Sequence, residues 1–459
     1  MTPSRSGSPK SQPRLIALLD GRVVGTVFRD ARARYRFTYE ADWRLAEDSY
    51  PLSLSMPLTA AEHHHKEVEA FLWGLLPDNE RTLDRYAKTF GVSARNPLAI
   101  LAHIGADCAG AVQFIAPDQL QELEGQQATA EVDWIDDAEV ARALRSARKT
   151  GLPGRDRKTV GRFSLAGAQP KIALYNGDGR WGKPLGRTPT THILKPPAAE
   201  YAGFAENEHL CLALASELGL GAAKSFVQSF AGEVAIVVER FDRLPHGSSY
   251  RRIHQEDLCQ AMSVLPWSKY ENDGGPGIAA IVPLIQESSI EPEADVGRFL
   301  DIIALNWVLA APDAHAKNYA LLHAPGGGVR LAPFYDVASY LPYSDRRLYE
   351  VKLAMRIGRE YLARKIVRAD WITLADASKL PKNYVLARLD ALLPRIPEAV
   401  NRVASRAIAE GLNSAVVEQT ASRIVARSTD CIARLTVDIA PSSTKDGLGY
   451  RAPPEASPR

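Results

Sequence analysis

Asn306-Trp307-Val308-Leu309-Ala310-Ala311-Pro312-Asp313-Ala314-His315-Ala316-Lys317-Asn318-Tyr319 is the stretch on which the reading of the chain turns. Its apolar first half extends RFLDIIAL, which begins at Arg298 and has a helical pattern. Pro312 should end that helix, since proline lacks the backbone N–H and clashes with the preceding turn. The polar cluster DAHAKN follows at once. Asp313 and Asn318 stand five residues apart, on one short loop. There a carboxylate can accept a hydroxyl proton while an amide oxygen ligates Mg²⁺. Taken alone, the same residues also suit an ordinary polar loop at a helix end.

D-x-x-x-x-N is also the spacing of a protein-kinase catalytic loop. Downstream, after two candidate strands, VRLAPFYDVASY sets Asp336 at the end of an apolar-aromatic run. Kinases place a second metal-binding Asp there, although Tyr335 and Val337 do not make a DFG. Upstream, THILKP ends a β-branched run on Lys195, a position suited to ATP phosphates. The next helix carries Glu206 and Glu208 near its start, and either can pair with that lysine. Between candidate strands, Gly161 to Lys171 (GRFSLAGAQPK) is rich in small residues that let a backbone approach phosphate oxygens. It is neither G-x-G-x-x-G nor a Walker A, and on its residues alone it reads as a hairpin. Lys, Glu, Asp-x4-Asn and Asp nevertheless occur in kinase order.

The chain of 459 residues carries 56 Lys+Arg against 54 Asp+Glu, a formal charge of +2, with 46% hydrophobic residues. These are globular proportions, and the balance argues against a mainly electrostatic nucleic-acid binder. Four scattered cysteines without a CxxC exclude a disulfide scaffold and a cysteine zinc site, and they suit a reducing compartment. The first residues lack the apolar core of a secretory signal, and no apolar run reaches the ~20 residues of a membrane span. A cytoplasmic protein is expected.

The expected fold is α+β and bilobal, kinase-like. Residues 1–14 read as a disordered lead-in. Residues 15–118 read as a small α+β subdomain with a hairpin at Asp20-Gly21, helices over 78–90 and 96–104, and a strand over 111–115. Residues 119–158, polar and acidic, read as a linker or surface insertion. A β-rich N-lobe follows over 159–245, with strands RFSLAG, KIALYN, THILKP, SFVQSF and EVAIVVERF and one helix over 205–218. A mostly helical C-lobe spans 246–440, including EDLCQAMSVL and KNYVLARLDALL, and a disordered tail fills 441–459. His63-His64-His65 reads as a solvated loop, and Trp73, Trp134, Trp267 and Trp307 as core. The arginines at 356, 359, 364, 368, 388, 395, 402 and 406 read as solvated helix faces, some of which suit phosphate contact.

SLAGAQPKIAL, THILKP, VVERFDR, DAHAKN and LAPFYDVASY resemble, in order and spacing, the hallmark segments of HipA-type serine/threonine kinases, toxin members of bacterial toxin–antitoxin pairs. YPLSLSMPL, FLWGLLPDNERTLDRYA and HIGADCAGAVQF resemble that family's extra N-terminal subdomain. The resemblance spans residues 15 to 435. It implies that Asp313 is the catalytic base, Asn318 and Asp336 the Mg²⁺ ligands, and Lys195 the ATP-phosphate lysine. It further implies a phosphate-binding loop over Ala166, Gly167, Ala168, Gln169, Pro170 and Lys171, and a hinge at Glu239, Arg240 and Phe241 that meets adenine through its backbone. His315, Lys317 and Tyr335 would also border the nucleotide, and Ser164 would be the autophosphorylated serine. One departure stands out: Pro170 replaces the Glu of some members and removes an N–H donor.

The resemblance therefore implies ATP and Mg²⁺ as cofactors and a translation component, typically an aminoacyl-tRNA synthetase, as protein substrate. The implied partner is a HipB-like helix-turn-helix antitoxin, through which operator DNA is mainly met; no membrane partner is expected. Two other readings fit parts of the pattern. One is a non-catalytic nucleotide-binding co-repressor, and the other a small-molecule phosphotransferase that shares the D-x-x-x-x-N logic.

Overall fold

A computed structural model describes residues 14–120, 131–154, 163–186, 188–197, 201–247, 249–343 and 350–436. The expectations for both chain ends, for Gly161 and for part of the 119–158 stretch lie outside the described residues.

The first unit is a five-stranded sheet with helices on it. Strands β1 (Arg14–Leu19) and β2 (Arg22–Arg29) form the expected hairpin. Asp20 and Gly21 both adopt positive φ (47° and 85°), the conformation a tight two-residue turn requires. Next come β3 (Tyr35–Tyr39), α1 (Ala41–Leu45), β4 (Glu62–His63), α2 (His65–Gly74), α3 (Glu80–Phe90), α4 (Pro97–Ile104), β5 (Asp107–Cys108) and β6 (Val112–Ile115), with sheet order β4-β3-β2-β1-β6. Helices α3 and α4 start one or two residues later than the sequence suggests. The side chains of Asn79 and Asn96 accept the N–H groups of Thr82 and Ala99, so each asparagine is a cap and not a first helical residue. His63 belongs to β4 and is buried, which corrects its reading as solvated loop.

The second unit holds β7 (Val132–Ile135), α5 (Asp137–Thr150), β8 (Phe163–Ser164), β9 (Ile172–Gly177), β10 (Arg180–Pro184), β11 (His192–Lys195), α6 (Phe204–Glu217), β12 (Ser225–Phe230) and β13 (Glu233–Glu239). Its antiparallel sheet runs β12-β13-β11-β9-β10-β7. Two expectations are corrected here. Residues 132–150 are no linker: β7 is an edge strand of this sheet, and α5 buries Val140, Ala141, Leu144 and Ala147 against Ile172, Leu174 and Val237. Asp136 caps α5 and Gly151 ends it at φ 72°, so the acidic residues mark a helix start. RFSLAG is not a strand of this sheet either. Among its described residues only Phe163 and Ser164 form a strand, and they pair in parallel with β5 of the first unit.

The third unit holds β14 (Arg243–His246), β15 (Ser249–Arg252), β16 (His254–Asp257), α7 (Leu258–Ala261), α8 (Ile278–Ser288), α9 (Pro292–Leu309), β17 (Ala320–Ala324), β18 (Gly328–Leu331), β19 (Lys352–Ile357), β20 (Glu360–Leu362), α10 (Arg368–Ala377), α11 (Lys382–Leu392), α12 (Ile396–Ala409) and α13 (Ser414–Thr436). Helix α9 runs through the core of this lobe. Trp307 on it is fully buried, with its indole N–H on the carbonyl of Ala363 at 2.8 Å and its ring edge-on to Trp371. EDLCQAMSVL does not form one helix, because Glu256 and Asp257 pair in the sheet β16-β17-β18 and only one turn, α7, follows. Trp134 and Trp267 are exposed (41% and 62%), which corrects their reading as core. Each meets another aromatic ring edge-on, Tyr175 and Trp73 respectively, so a ring contact at the surface replaces burial. Among the described residues no helix is long and apolar enough to cross a membrane.

A buried ion cluster joins the first unit to the other two. Asp107 accepts hydrogen bonds from Thr190 N and Oγ1 (3.0 and 2.7 Å) and from Arg243 (2.8 Å), with Arg240 and Arg252 at 3.3 Å. Asp242 pairs with Arg240 at 2.8 Å and takes the N–H of Gly110 at 2.7 Å. Burial works to raise the Asp107 carboxyl, but Arg243 and Arg240 hold it well below the usual carboxylate range. Asp107→Ala would leave those guanidiniums buried and under-paired, and should cost about 3–5 kcal/mol of stability at neutral pH. Because the folded value is depressed, that contribution is present above about pH 4 and fades as the pH falls further. Urea unfolding of both proteins at neutral and acid pH should show the gap narrowing in acid.

Candidate active site

The cleft between the second and third units has a volume of about 530 Å³, within the range that holds a small-molecule ligand. Its sheet-side wall is Lys195, at the end of β11. Lys195 Nζ lies 2.7 Å from Glu208 and 2.5 Å from Asp336. Of the two candidate glutamates, the structure therefore selects Glu208; it lies on α6, one turn in. All three groups are mostly or wholly buried. Burial alone would lower the Lys195 ammonium, but Asp336 and Glu208 raise it above its ordinary value. Burial also opposes ionisation of Asp336, yet Lys195 and Lys171 hold its carboxyl well below the usual range. Burial wins at Glu208, whose value is raised.

Asp336 occupies the left-handed region at φ 56°, which asparagine and aspartate tolerate best among residues with a side chain. That strained backbone sets its carboxylate toward Lys195 just after the strand β18 and the buried Phe334. Across the cleft, α9 ends at Leu309, Ala310 turns left-handed at φ 48°, and Pro312 leads into the polar loop as expected. Asn318 donates its amide to the carbonyls of Asp313 (2.7 Å) and Asp336 (3.5 Å). With the nitrogen so engaged, the amide oxygen is the end that can take a cation. Asp313 is two-thirds exposed (67%) at the mouth of the cleft, where an incoming hydroxyl can reach it. The hydroxyl of Tyr270 donates to its Oδ1, and His315 Nε2 stands 3.6 Å from the same oxygen.

His315 is buried under the edge of Tyr270, with ring centroids 5.0 Å apart. Burial pushes its imidazole down to about 4, so it is neutral at physiological pH. The loop expected to meet phosphate, residues 166–171, lies opposite. Gly167 has φ 103°, a backbone conformation that residues with a side chain rarely adopt, so glycine is favoured there. Lys171 Nζ donates to the carbonyl of Ala166 at 2.6 Å and closes the loop on itself. Burial, helped by the charge of Lys195, pushes that ammonium down to about 8. Ala168, Gln169 and Pro170 line the cleft beside it.

Several of the expected site residues have their polar groups already engaged. Arg240 lines the cleft only with its backbone, because its side chain belongs to the Asp107–Asp242 cluster behind it. Its N–H is taken by Thr191 O and that of Glu239 by Lys224 O, so neither can donate to an adenine. Lys317 has its ammonium engaged by Asp257 (3.3 Å), Asp78 (3.5 Å) and the carbonyl of Gly74 (3.2 Å), all of which line the cleft with it. Ser164 is fully buried, and its hydroxyl donates to the carbonyl of Leu75 at 2.8 Å, outside the cleft lining. Tyr335 and Phe241 form the aromatic wall, with centroids 5.6 Å apart. The sequence reading missed Asp78, Asp257, Lys269 and Tyr270, all of which line the cleft or touch its loops. Asp78 and Asn79 look like a helix start in the sequence, and nothing in their spacing ties them to residues almost two hundred positions later.

The comparisons with known proteins agree with this geometry. The HipA-like C-terminal domain matches residues 163–400, and the HipA N-terminal domain matches residues 15–115. The chain belongs to the HipA family of protein kinases. The Sinorhizobium fredii protein Y4mE is 35% identical to it over 89% of this chain and 96% of its own length. The serine/threonine-protein kinase toxin HipA of Shewanella oneidensis is 30% identical over 83% of this chain and 87% of its own. The solved complex of Shewanella oneidensis HipA with HipB and operator DNA superimposes with a TM-score of 0.78 at 26% identity, covering 91% of this chain and 97% of that one. The HipA-like fold is thus α+β, with the bilobal layout expected from the sequence.

Because His315 is held neutral, its ring protons should not shift between about pH 8 and about pH 5 in an NMR titration, whereas an exposed histidine moves through about 6.5.

Proposed function

We propose that the protein is a Mg·ATP-dependent serine/threonine kinase toxin that transfers the γ-phosphate to a serine of a translation component, of which an aminoacyl-tRNA synthetase is the type the resemblance implies. The observation that carries this reading is the meeting of Lys195, Glu208 and Asp336 with Asn318 and Asp313 in one cleft. Asn318 and Asp336 offer two oxygens, too few for a closed metal cage. Mg²⁺ commonly takes one or two protein oxygens and completes its shell with phosphate oxygens and water. The residues therefore fit that ion. Mg²⁺ bound there would neutralise charge on the phosphates.

The chain's own groups supply the rest. Lys195, buried and kept charged by Glu208, holds phosphate oxygens on the sheet side. Lys171 and the Gly167 turn cover the phosphates. Asp313 accepts the proton of the acceptor hydroxyl as its oxygen attacks phosphorus in line and the ADP oxygen departs. Tyr270 holds one carboxylate oxygen of Asp313 and leaves the other for the acceptor. Positioning and charge stabilisation suffice for this chemistry.

Regulation follows two routes in this reading. Autophosphorylation at Ser164 requires β8 to leave β5, since the hydroxyl is tied to Leu75 O. A phosphate carrying about −2 charge does not fit the buried position, so the loop stays out and the enzyme stays off. A HipB-like antitoxin that meets operator DNA is the proposed partner; the superimposable Shewanella oneidensis assembly is a HipA–HipB–operator complex, which supports it. Asp313→Asn should retain ATP binding within about threefold while transfer falls by about 10³ or more. Labelling with γ-³²P-ATP and nucleotide titration measure the two. Transfer at the wild-type rate would remove Asp313 from the mechanism.

A further inference from the structure

The segment Gly74–Asp78 joins α2 to α3 and belongs to the N-terminal subdomain, yet it touches both working loops of the cleft. Pro77 bridges Gly167, and the N–H of Asp78 donates to Gly167 O at 3.2 Å. Just before it, Leu75 O holds Ser164 and Gly74 O holds Lys317. The Asp78 side chain faces the other way, into the third unit. Its Oδ2 takes Lys269 at 2.6 Å, and its Oδ1, otherwise without a hydrogen bond, has Lys317 at 3.5 Å. Lys317 immediately precedes the cation-facing Asn318, and Lys269 immediately precedes Tyr270, which grips Asp313.

The ordinary explanation for Asp78 is helix capping. Asn79 already performs that role for α3, so it does not account for a carboxylate that is only 8% exposed. Nor is Asp78 needed simply to neutralise Lys317, because Asp257 stands closer to that ammonium. What Asp78 alone does is connect. One residue's backbone holds the phosphate loop, and its carboxylate holds the neighbours of both the metal-side amide and the base.

We infer that Asp78 is a positioning residue for phosphotransfer, through which the N-terminal subdomain fastens the phosphate loop to the catalytic loop. The inference rests on the kinase reading above. It explains why the subdomain is built into the cleft instead of hanging beside it: next to the Leu75 and Gly74 carbonyls, Asp78 gives the two loops that must align nucleotide and acceptor a charged common anchor. A misplacement of about 1 Å in such a constellation costs up to about a hundredfold in rate.

The test uses the full chain with Asp78→Asn, which keeps size and the backbone N–H but removes the charge. Hydrogen exchange read by mass spectrometry should speed up in residues 163–171 and 313–318, with α12 and α13 unchanged. KM for ATP should rise by about tenfold and kcat should fall by a similar factor. Wild-type exchange in both loops together with wild-type KM and kcat overturns the inference, as does a general rise that reaches α12 and α13. If Asp78→Asn does not accumulate as folded protein, Lys269→Met, which cuts the outer arm of the same link, decides on the same readouts. Should the wild type transfer no phosphate from ATP, the kinase reading fails, while the exchange data still show whether Asp78 couples the loops.

Discussion

The molecule depends on one buried ammonium. Lys195 sits at the end of β11 with Glu208 from α6 on one side and Asp336 from the turn after β18 on the other. It links the sheet of the second unit to the helical third unit. One cation between two carboxylates is an excess of negative charge in a poorly solvated place, which by itself is unfavourable. Lys171 reduces the excess from the phosphate loop, close enough to help hold the Asp336 carboxyl down. Each of these four charges is tolerable only while the others are in place. Lobe orientation, loop position and the Asp336 backbone are therefore fixed together.

The N-terminal subdomain is attached by the same physics. Besides hydrogen bonds such as those of His254 with Leu52 O and Gln260 with Phe71 O, its contacts to the kinase lobes include two ion clusters, Asp107 with Arg240, Arg243 and Arg252, and Asp78 with Lys269 and Lys317. An apolar interface tolerates small slips, because its attraction has no direction. Buried ion pairs with several hydrogen bonds do not, since a slip leaves a charge unpaired in a dry place. The Asp107 cluster lies behind Arg240 on one side of the cleft, and the Asp78 link lies at the loop of Gly167 on the other. The subdomain thus registers both sides of the cleft.

How much of this could be read from the sequence follows from contact distance along the chain. Lys195, Asp313, Asn318 and Asp336 were legible because chemistry fixes their local settings: a strand end, a helix stop and a turn. The hairpin at Asp20-Gly21 was legible because its dihedral demand is local. Asp78 and Asp107 were not, since their partners lie as far away as Lys317 is from Asp78 and no pattern in their own neighbourhood differs from a cap or a turn. The 132–150 segment was misread because acidic residues at a helix start look like a linker when the buried Val140, Ala141 and Leu144 among them are few. Ser164 appeared to lie in a strand of the main sheet because FS reads as extended in either sheet; only the partner, β5, distinguishes them.

Pro170 shows how the phosphate loop manages with one N–H fewer. In a loop held by successive backbone donors, a proline would open a gap in the cradle. Here the loop is shaped by other means: Gly167 in a backbone conformation that favours glycine, its carbonyl fixed by Asp78 N–H, and Lys171 reaching back to Ala166 O. Its cationic capacity resides in the Lys171 side chain. Proline also narrows the backbone freedom of residue 169, which lowers the entropy lost on ordering the loop. A segment gripped from outside by another subdomain needs fewer donors of its own to hold its shape, so in the proposed kinase reading the proline would shift phosphate recognition toward Lys171 and Lys195.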